Sequence, residues 1–203
     1  FSKPCMKFGP FNAKLNLENY QDKQYAVMCQ WISIKENSIN DFIIDLKDVI
    51  QDISNEEIKI LVKLLNNLNS VKKHNAVFKV YKDHEIILLI NQNGIEVDFK
   101  DTYNIEEKNI FDILPVGKNA DIFKDIYVEA HEVLKNHPIN IKRIQEHKQP
   151  LNSLLFLEGD YYWKFDTFSK RVGTEGTLIT GTHFLKMLGE LEGLKVICPK
   201  GAT

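Results

Sequence analysis

The sequence predicts a mixed α/β fold, a sheet covered by helices, and three features carry that expectation. Apolar residues run in strand-like, partly alternating patterns over residues 25–34, 77–81 and 85–91. They recur at helical spacing through Ile58, Leu61, Val62, Leu65 and Leu68, and again through Ile122, Phe123, Ile126, Ala130, Val133 and Leu134. The two kinds of stretch interleave along the chain, which places helices against a sheet. A chain of 203 residues has room for one domain with a usable core, or at most two small ones. Strand order is not encoded in these periods.

Residues 1–20 contain Gly9 and Pro10 without a sustained period and read as an extended arm or linker. Lys35-Glu36-Asn37 reads as a polar turn after the first strand. Phe42, Leu46, Val49 and Ile53 then recur at helical spacing, predicting a helix over 41–53 with Asp41, Asp45, Asp48 and Asp52 along another face. Ser54-Asn55-Glu56-Glu57 is a capping-box pattern opening the next helix. Lys82-Asp83-His84 joins two strands as a hairpin, and Asn93-Gly94 closes the second. Residues 98–117 are weakly patterned and end in the loop Leu114-Pro115-Val116-Gly117. The helix over 120–136 stops at Asn136-His137-Pro138, because the residue before a proline avoids helical backbone. A short polar helix over 139–147 and a strand over 153–157 follow. Gly173 and Gly176 frame a turn into a strand at 177–180. A helix through Phe184, Leu185, Leu188 and Leu191 ends at Gly193, before a last strand over 194–198.

Composition removes several classes of function. The chain is 43% hydrophobic and 27% charged, outside the signature of disorder. A net charge of -2 gives no general pull toward nucleic acid or an anionic membrane. No apolar run approaches the roughly 20 residues of a membrane span. Cys5, Cys29 and Cys198 lie far apart and read as free thiols of a reducing compartment. The histidines form neither HxH nor HExxH. A calcium loop needs alternating carboxylates on a turn, whereas the aspartates at 41, 45, 48 and 52 read as a solvated helix face. Gly173-Thr174-Glu175-Gly176 precedes a strand rather than a helix, unlike a phosphate cradle. Thr180-Gly181-Thr182 reads as a helix cap. The chain begins at Phe1 and ends at Gly201-Ala202-Thr203, and it is read as a piece of something longer.

One corner remains. His137-Pro138-Ile139-Asn140-Ile141-Lys142-Arg143 gathers a histidine, an amide and an arginine just after a helix stop, and Arg143 and Arg171 are the arginines of a chain rich in lysine. An arginine in such a setting suits planar, bidentate recognition of a carboxylate or phosphate.

Together with Pro150-Leu151-Asn152-Ser153-Leu154-Leu155, this stretch resembles the "HPxNxxR…PxNSxL" segment of archaeal-type, cofactor-independent (2,3-bisphosphoglycerate-independent) phosphoglycerate mutases of the alkaline phosphatase superfamily. Phe168, Gly173 and Gly176 match further landmarks. So do Leu185-Lys186, Gly189, Gly193-Leu194, Val196-Ile197 and Gly201-Ala202-Thr203. Upstream, Leu114-Pro115-Val116-Gly117 and Ile53-Ser54-Asn55-Glu56-Glu57 have counterparts, and the likeness is best from about residue 112 onward.

The resemblance implies that residues 1–203 are a single substrate-capping domain inserted in a metal-bearing phosphatase domain, in a glycolytic, cytoplasmic enzyme. That enzyme would interconvert 3-phosphoglycerate and 2-phosphoglycerate through a phosphoserine. Two divalent metals, manganese or magnesium, would belong to the parent and none to this fragment. The partners implied are phosphoglycerate and the phosphatase domain of the same parent, with no nucleic acid and no membrane. Arg143, Asn140, His137 and Lys186 are the substrate-binding residues it implies, with no catalytic or metal-ligating residue in the chain.

The chain departs from the family pattern at Phe156-Leu157-Glu158-Gly159-Asp160 and at His183-Phe184-Leu185-Lys186-Met187-Leu188-Gly189, and at two further places where an arginine is lost. Met28-Cys29-Gln30 stands where the family has Arg-Cys-Asn, and Tyr81-Lys82-Asp83-His84 where it has Tyr-Arg-His. Each lost charge-assisted pair costs about 1.5–3 kcal/mol, and two weaken binding by about two to four powers of ten. The alternatives are therefore a degenerate, non-catalytic binding or regulatory homologue, or the cap of another phosphotransferase of the superfamily.

Overall fold

Strand β1 (Tyr25–Ser38) is the axis on which the other strands of the larger sheet assemble. The computed structural model describes residues 7–38, 41–46, 50, 52–164 and 166–199, so Cys5, Asp48, Val49 and Gly201-Ala202-Thr203 lie outside the described residues. The expected mixed α/β architecture is present, with antiparallel and parallel strand pairs. Where the sequence reads as one insert domain, the chain divides into two compact units, Phe1–Tyr162 and Trp163–Thr203.

In the first unit β1 pairs antiparallel with three strands. Strand β2 (Asp41–Asp45) meets its far end, β4 (Glu85–Ile90) its near end, and β5 (Ser153–Tyr161) runs along the opposite edge from Tyr25 to Ile32. Strand β3 (Ala76–Lys82) closes the sheet as the hairpin partner of β4. Alternation decides what each face buries. Tyr25, Val27, Cys29 and Trp31 of β1 and Ile86, Leu88 and Ile90 of β4 enter the main core. Ala26, Ile87 and Leu89 face the other way.

Helices α2 (Asn55–Leu65) and α4 (Ala120–Lys135) cover the main face with the apolar stripes read from the sequence. Ser54 and Glu57 form the expected capping box, with the Glu57 backbone N–H donating to Ser54 Oγ and the Ser54 N–H to the Glu57 carboxylate. A short helix α3 (Asn69–Lys73), which the sequence did not signal, is held by Glu129 of α4, which accepts from the backbone N–H groups of Asn69 and Ser70. Among the described residues no helix is long and apolar enough to cross a membrane.

Two expectations fail locally. Residues 41–45 form β2, not the start of a helix, and β1 runs through the expected turn at Lys35-Glu36-Asn37. Phe42-Ile43-Ile44 is aromatic and β-branched, suited to a pleated surface. Pairing with residues 34–38 overrides the wider helical spacing. Asp45 is accordingly buried, with its carboxylate 2.5 Å from Lys35 Nζ, instead of on a solvated helix face.

The supposed arm folds as helix α1 (Phe8–Asn16), which covers the second sheet face. Pro10 falls in its first turn, where its missing N–H costs nothing. Gly9 lets the helix approach closely, since a Cβ there would lie 2.4 Å from the Ala26 carbonyl oxygen.

The second unit contains α6 (Phe168–Val172), β6 (Thr177–Ile179), α7 (His183–Leu191) and β7 (Lys195–Ile197), preceded in chain order by α5 (Pro138–Gln145) of the first unit. Strands β6 and β7 pair in parallel.

Gly9→Ala is expected to lower stability by about 1–3 kcal/mol, the cost of overpacking a tight contact. The midpoint of urea unfolding would report it, and an unchanged midpoint would mean that α1 is not seated on the sheet.

Candidate functional site

The corner singled out in the sequence is built where α4 ends, α5 begins and the chain returns into β5. His137 is the N-cap of α5, its Nδ1 accepting from the Ile139 N–H at 3.3 Å, and Pro138 occupies the first helical position. Burial pushes the His137 pKa down, because it disfavours the charged ring.

Asn140 and Arg143 lie three residues apart and face inward, 0% and 4% exposed. The Asn140 amide donates to the carbonyls of Leu134 and Leu151, at 2.8 and 2.9 Å, and its Oδ1 accepts from the Leu151 N–H at 2.7 Å. Both amide hydrogens are therefore spent on backbone. Arg143 Nε donates to the Gln149 carbonyl at 2.7 Å. Burial lowers the guanidinium's pKa, while the carboxylates of Glu57, Asp52 and Glu146 act in the opposite direction. Acids of this chain thus favour the charged form of the guanidinium. Lys186 is exposed on α7 of the second unit, apart in the chain from the other three.

The corner extends through two groups that the sequence did not mark as polar partners. Asn152 binds the Ile34 backbone on both sides, accepting from its N–H at 2.7 Å and donating to its carbonyl at 2.9 Å. It thereby continues the β1–β5 ladder one step beyond the Ile32–Ser153 pair. His131 is buried with its ring nitrogens 2.8 Å from the Asn152 carbonyl and 2.8 Å from a Glu36 carboxylate oxygen. The bond to His131 is the main reason that the Glu36 carboxyl lies below the usual carboxylate range, with Lys135 adding to it. Gln149 ties in the β1–β2 ribbon, donating to Asp45 and accepting from Ser33. The sequence cue was the segment 150–155 itself; the Ile34 partner of Asn152, 118 residues upstream, left no local trace.

A second feature emerges only in three dimensions. Met28-Cys29-Gln30 and the turn after Tyr81, the two stretches at which the sequence departs from the pattern it resembles, meet at one cavity of about 470 Å³. Trp31, Leu46, Leu157 and Ile50 supply its apolar wall. The Trp31 indole N–H donates to the His84 carbonyl at 3.0 Å, fixing the β3–β4 turn against β1. Its ionisable lining comprises Cys29, Tyr81, His84 and Glu85; no lysine or arginine is among the described lining residues. Burial first, and then Glu85, raises the Tyr81 pKa, so the phenol stays protonated. Burial likewise raises that of Cys29, which keeps the thiol un-ionised and inert. Such a wall has no fixed positive charge with which to meet a phosphate.

At the start of α7, Thr182 makes no side-chain cap, and the Thr182 N–H is instead satisfied by Thr180 Oγ1 at 3.0 Å. Among the described residues, no group of three or more His, Cys, Asp or Glu side chains is placed to hold a metal ion.

Comparison with known proteins decides the kinship. The family model for 2,3-bisphosphoglycerate-independent phosphoglycerate mutase matches residues 13–140. The chain belongs to this family. The mutase of Methanosarcina acetivorans is 32% identical over 178 residues, covering 88% of this chain and 43% of that protein. One of the mutases of Methanocaldococcus jannaschii is 27% identical over 185 residues, again covering 88% of this chain and 44% of the relative. The chain therefore spans less than half the length of these relatives. In fold it is similar to the cofactor-independent mutase structure from Thermoplasma acidophilum, with a TM-score of 0.57 at 17% identity over 97% of this chain and 52% of that one. A Pyrococcus horikoshii protein superposes with a TM-score of 0.56 at 20% identity, over 96% of this chain and 43% of that chain. The kinship thus reaches well upstream of residue 112, where the motifs read by eye had thinned.

Asn140→Ala is expected to cost about 2–4 kcal/mol, since it strands buried backbone groups of Leu134 and Leu151 without partners; denaturant unfolding would read it. Glu36 gives a pH signature. Its folded pKa is depressed, so its contribution is complete above the ordinary carboxylate pKa of about 4.3 and is lost as pH falls through the lowered folded value. Glu36→Gln should flatten that acid limb of a stability-versus-pH profile while leaving stability above pH 6 less affected by pH.

Proposed function

We propose that this chain is the substrate-capping part of a phosphoglycerate mutase-like protein, a cytoplasmic glycolytic enzyme interconverting 3-phosphoglycerate and 2-phosphoglycerate. The observation that carries this reading is the family match across residues 13–140 in a chain spanning 43% of a relative's length. In it, a serine of a phosphatase domain outside these residues takes the phosphoryl group and returns it to the other hydroxyl. Two divalent metals, manganese or magnesium, would stabilise that transfer in the parent. In this reading the ligands of both metals belong to that phosphatase domain. This chain's own work is to close over the substrate, position it and exclude water, so that the phosphoserine is not hydrolysed.

Within this reading Asn140 and Arg143 act by positioning. They fix the α4–α5–β5 corner, and a ligand anion would have to compete with Glu57, Asp52 and Glu146 for the guanidinium. The half-buried His137 and the exposed Lys186 are the groups of the predicted set free to approach a ligand.

A second reading rests on the cavity beside Met28 and Tyr81. A wall carrying Glu85 and no described lysine or arginine is poorly matched to a substrate bearing a phosphate and a carboxylate. It favours a homologue that kept the fold while losing the anion clamp, and that serves as a non-catalytic binding or regulatory module.

The deciding experiment is a coupled assay of 2-phosphoglycerate formation from 3-phosphoglycerate by the full-length parent with manganese supplied. Turnover is expected from the parent and none from residues 1–203 alone. A folded, metal-loaded parent without turnover would overturn the mutase reading in favour of the second. Arg143→Ala in the parent should lower thermal stability together with activity. A fully stable variant with KM raised tenfold or more would instead return Arg143 to direct contact with substrate.

A further inference from the structure

Two irregularities of the larger sheet open onto one place. Val80 pairs with Ile86 and Lys82 with Glu85, which leaves Tyr81 as the extra residue of a bulge in β3. Met28 pairs with Glu158 and Cys29 with Phe156, which leaves Leu157 as the extra residue of a bulge in β5. A bulge bends its strand and re-aims the side chain that has lost its cross-strand partner, and bulges gather beside functional sites. Tyr81 and Leu157 both line the cavity beside Met28. Its volume of about 470 Å³ lies in the range of small-molecule pockets.

The β3–β4 turn at its rim is held in place. Asp83 takes a left-handed backbone, with φ 44°, and the Trp31 indole N–H donates to the His84 carbonyl. The cavity is thus built into the sheet.

The lining is of two kinds. Met28, Trp31, Leu46 and Leu157 offer an apolar surface. Against it stands Glu85, half-buried and the one carboxylate among the described lining residues. The Tyr81 phenol hydrogen-bonds to Glu85 and so orients the carboxylate. Among the described residues Glu85 enters no ion pair. A carboxylate partly withdrawn from water and left without a cation gains more from a charged donor than an exposed one does. Aromatic rings in the same lining add their own attraction for a cation.

Resting on the second reading above, we infer that this cavity binds a small organic amine, its ammonium group on Glu85 and its apolar body against Met28, Leu46 and Leu157. The Gln30 amide oxygen is a further acceptor in the lining. The same carboxylate repels a ligand that carries a carboxylate or phosphate, so the site selects by the sign of charge.

Calorimetric titration of the full-length parent with three probes of similar shape tests this without relying on activity. The probes are phenethylamine, phenethyl alcohol and phenylacetate. Phenethylamine is expected to bind with a Kd below about 1 mM, and phenylacetate about tenfold or more weakly. Glu85→Gln, which keeps the side chain's shape, should weaken the amine about tenfold and leave the alcohol unchanged. Tyr81→Phe, which removes the phenol and keeps the ring, should weaken the amine in the same sense. Glu96→Gln, outside this cavity, should change neither probe. The urea midpoint of each variant reports its fold, and the two cavity variants fail to fold for different reasons if they fail at all. Equal binding of amine and acid would overturn the inference. So would amine binding that both cavity variants leave untouched, or no amine binding at millimolar concentration. A parent that turns over 3-phosphoglycerate and still binds the amine through Glu85 would remove the second reading and leave this site standing; a parent with neither turnover nor amine binding would do the reverse.

Discussion

The first unit depends on the hydrogen-bonding capacity of one strand. β1 pairs with β4, β5 and β2 along 14 residues, so both of its edges are occupied near its start and its far end is carried by the ribbon. A buried backbone group without a partner costs about 1–3 kcal/mol. Where β5 stops matching β1, the Asn152 amide takes over and satisfies Ile34 on both sides. The ladder thus ends on a side chain, and that side chain leads to the α4–α5 corner.

This explains why the corner looks like a binding site in one dimension and behaves as a joint in three. Bringing a helix end, a helix start and a strand start together buries carbonyl and amide groups that no regular ladder reaches. Asn140, Asn152 and Arg143 supply donors in the geometry required. Polar residues at fixed spacing are demanded equally by a ligand and by a buried backbone, and only their partners tell the two apart. Here the described partners of the Asn140 and Asn152 amides and of Arg143 Nε are main-chain atoms. The cavity beside Met28 and Tyr81 carries no lysine or arginine among its described lining residues.

The two units differ in how much of their stability they contain. The first has a continuous apolar interior from Tyr25 to Phe156 with α1 sealing its second face. The second has close local packing around Gly176 and Gly189 and no buried apolar side chain among its described residues. Its sheet is parallel, two strands wide among the described residues, and leaves Ile179 and Ile197 exposed.

Local periodicity made α2, α4, α7 and the β3–β4 hairpin legible, because their signals lie within a dozen neighbouring residues. The Ser54–Glu57 capping box and the stop at His137-Pro138 were readable for the same reason. Residues 41–45 were misread, since an apolar spacing compatible with a helix cannot reveal a strand partner that only tertiary pairing supplies. Helix α1 was hidden by Gly9 and Pro10, which mark loops in general but here permit a first helical turn and a close approach to Ala26. The sequence by itself determined the fold class and the motifs that resemble the family's, which are local identities. Only the tertiary structure decided that Asn140 and Arg143 hold backbone, that residues 28–30 and 81–85 share a cavity, and that Ile179 and Ile197 stand uncovered. Those facts depend on which distant groups become neighbours, and no residue encodes that alone.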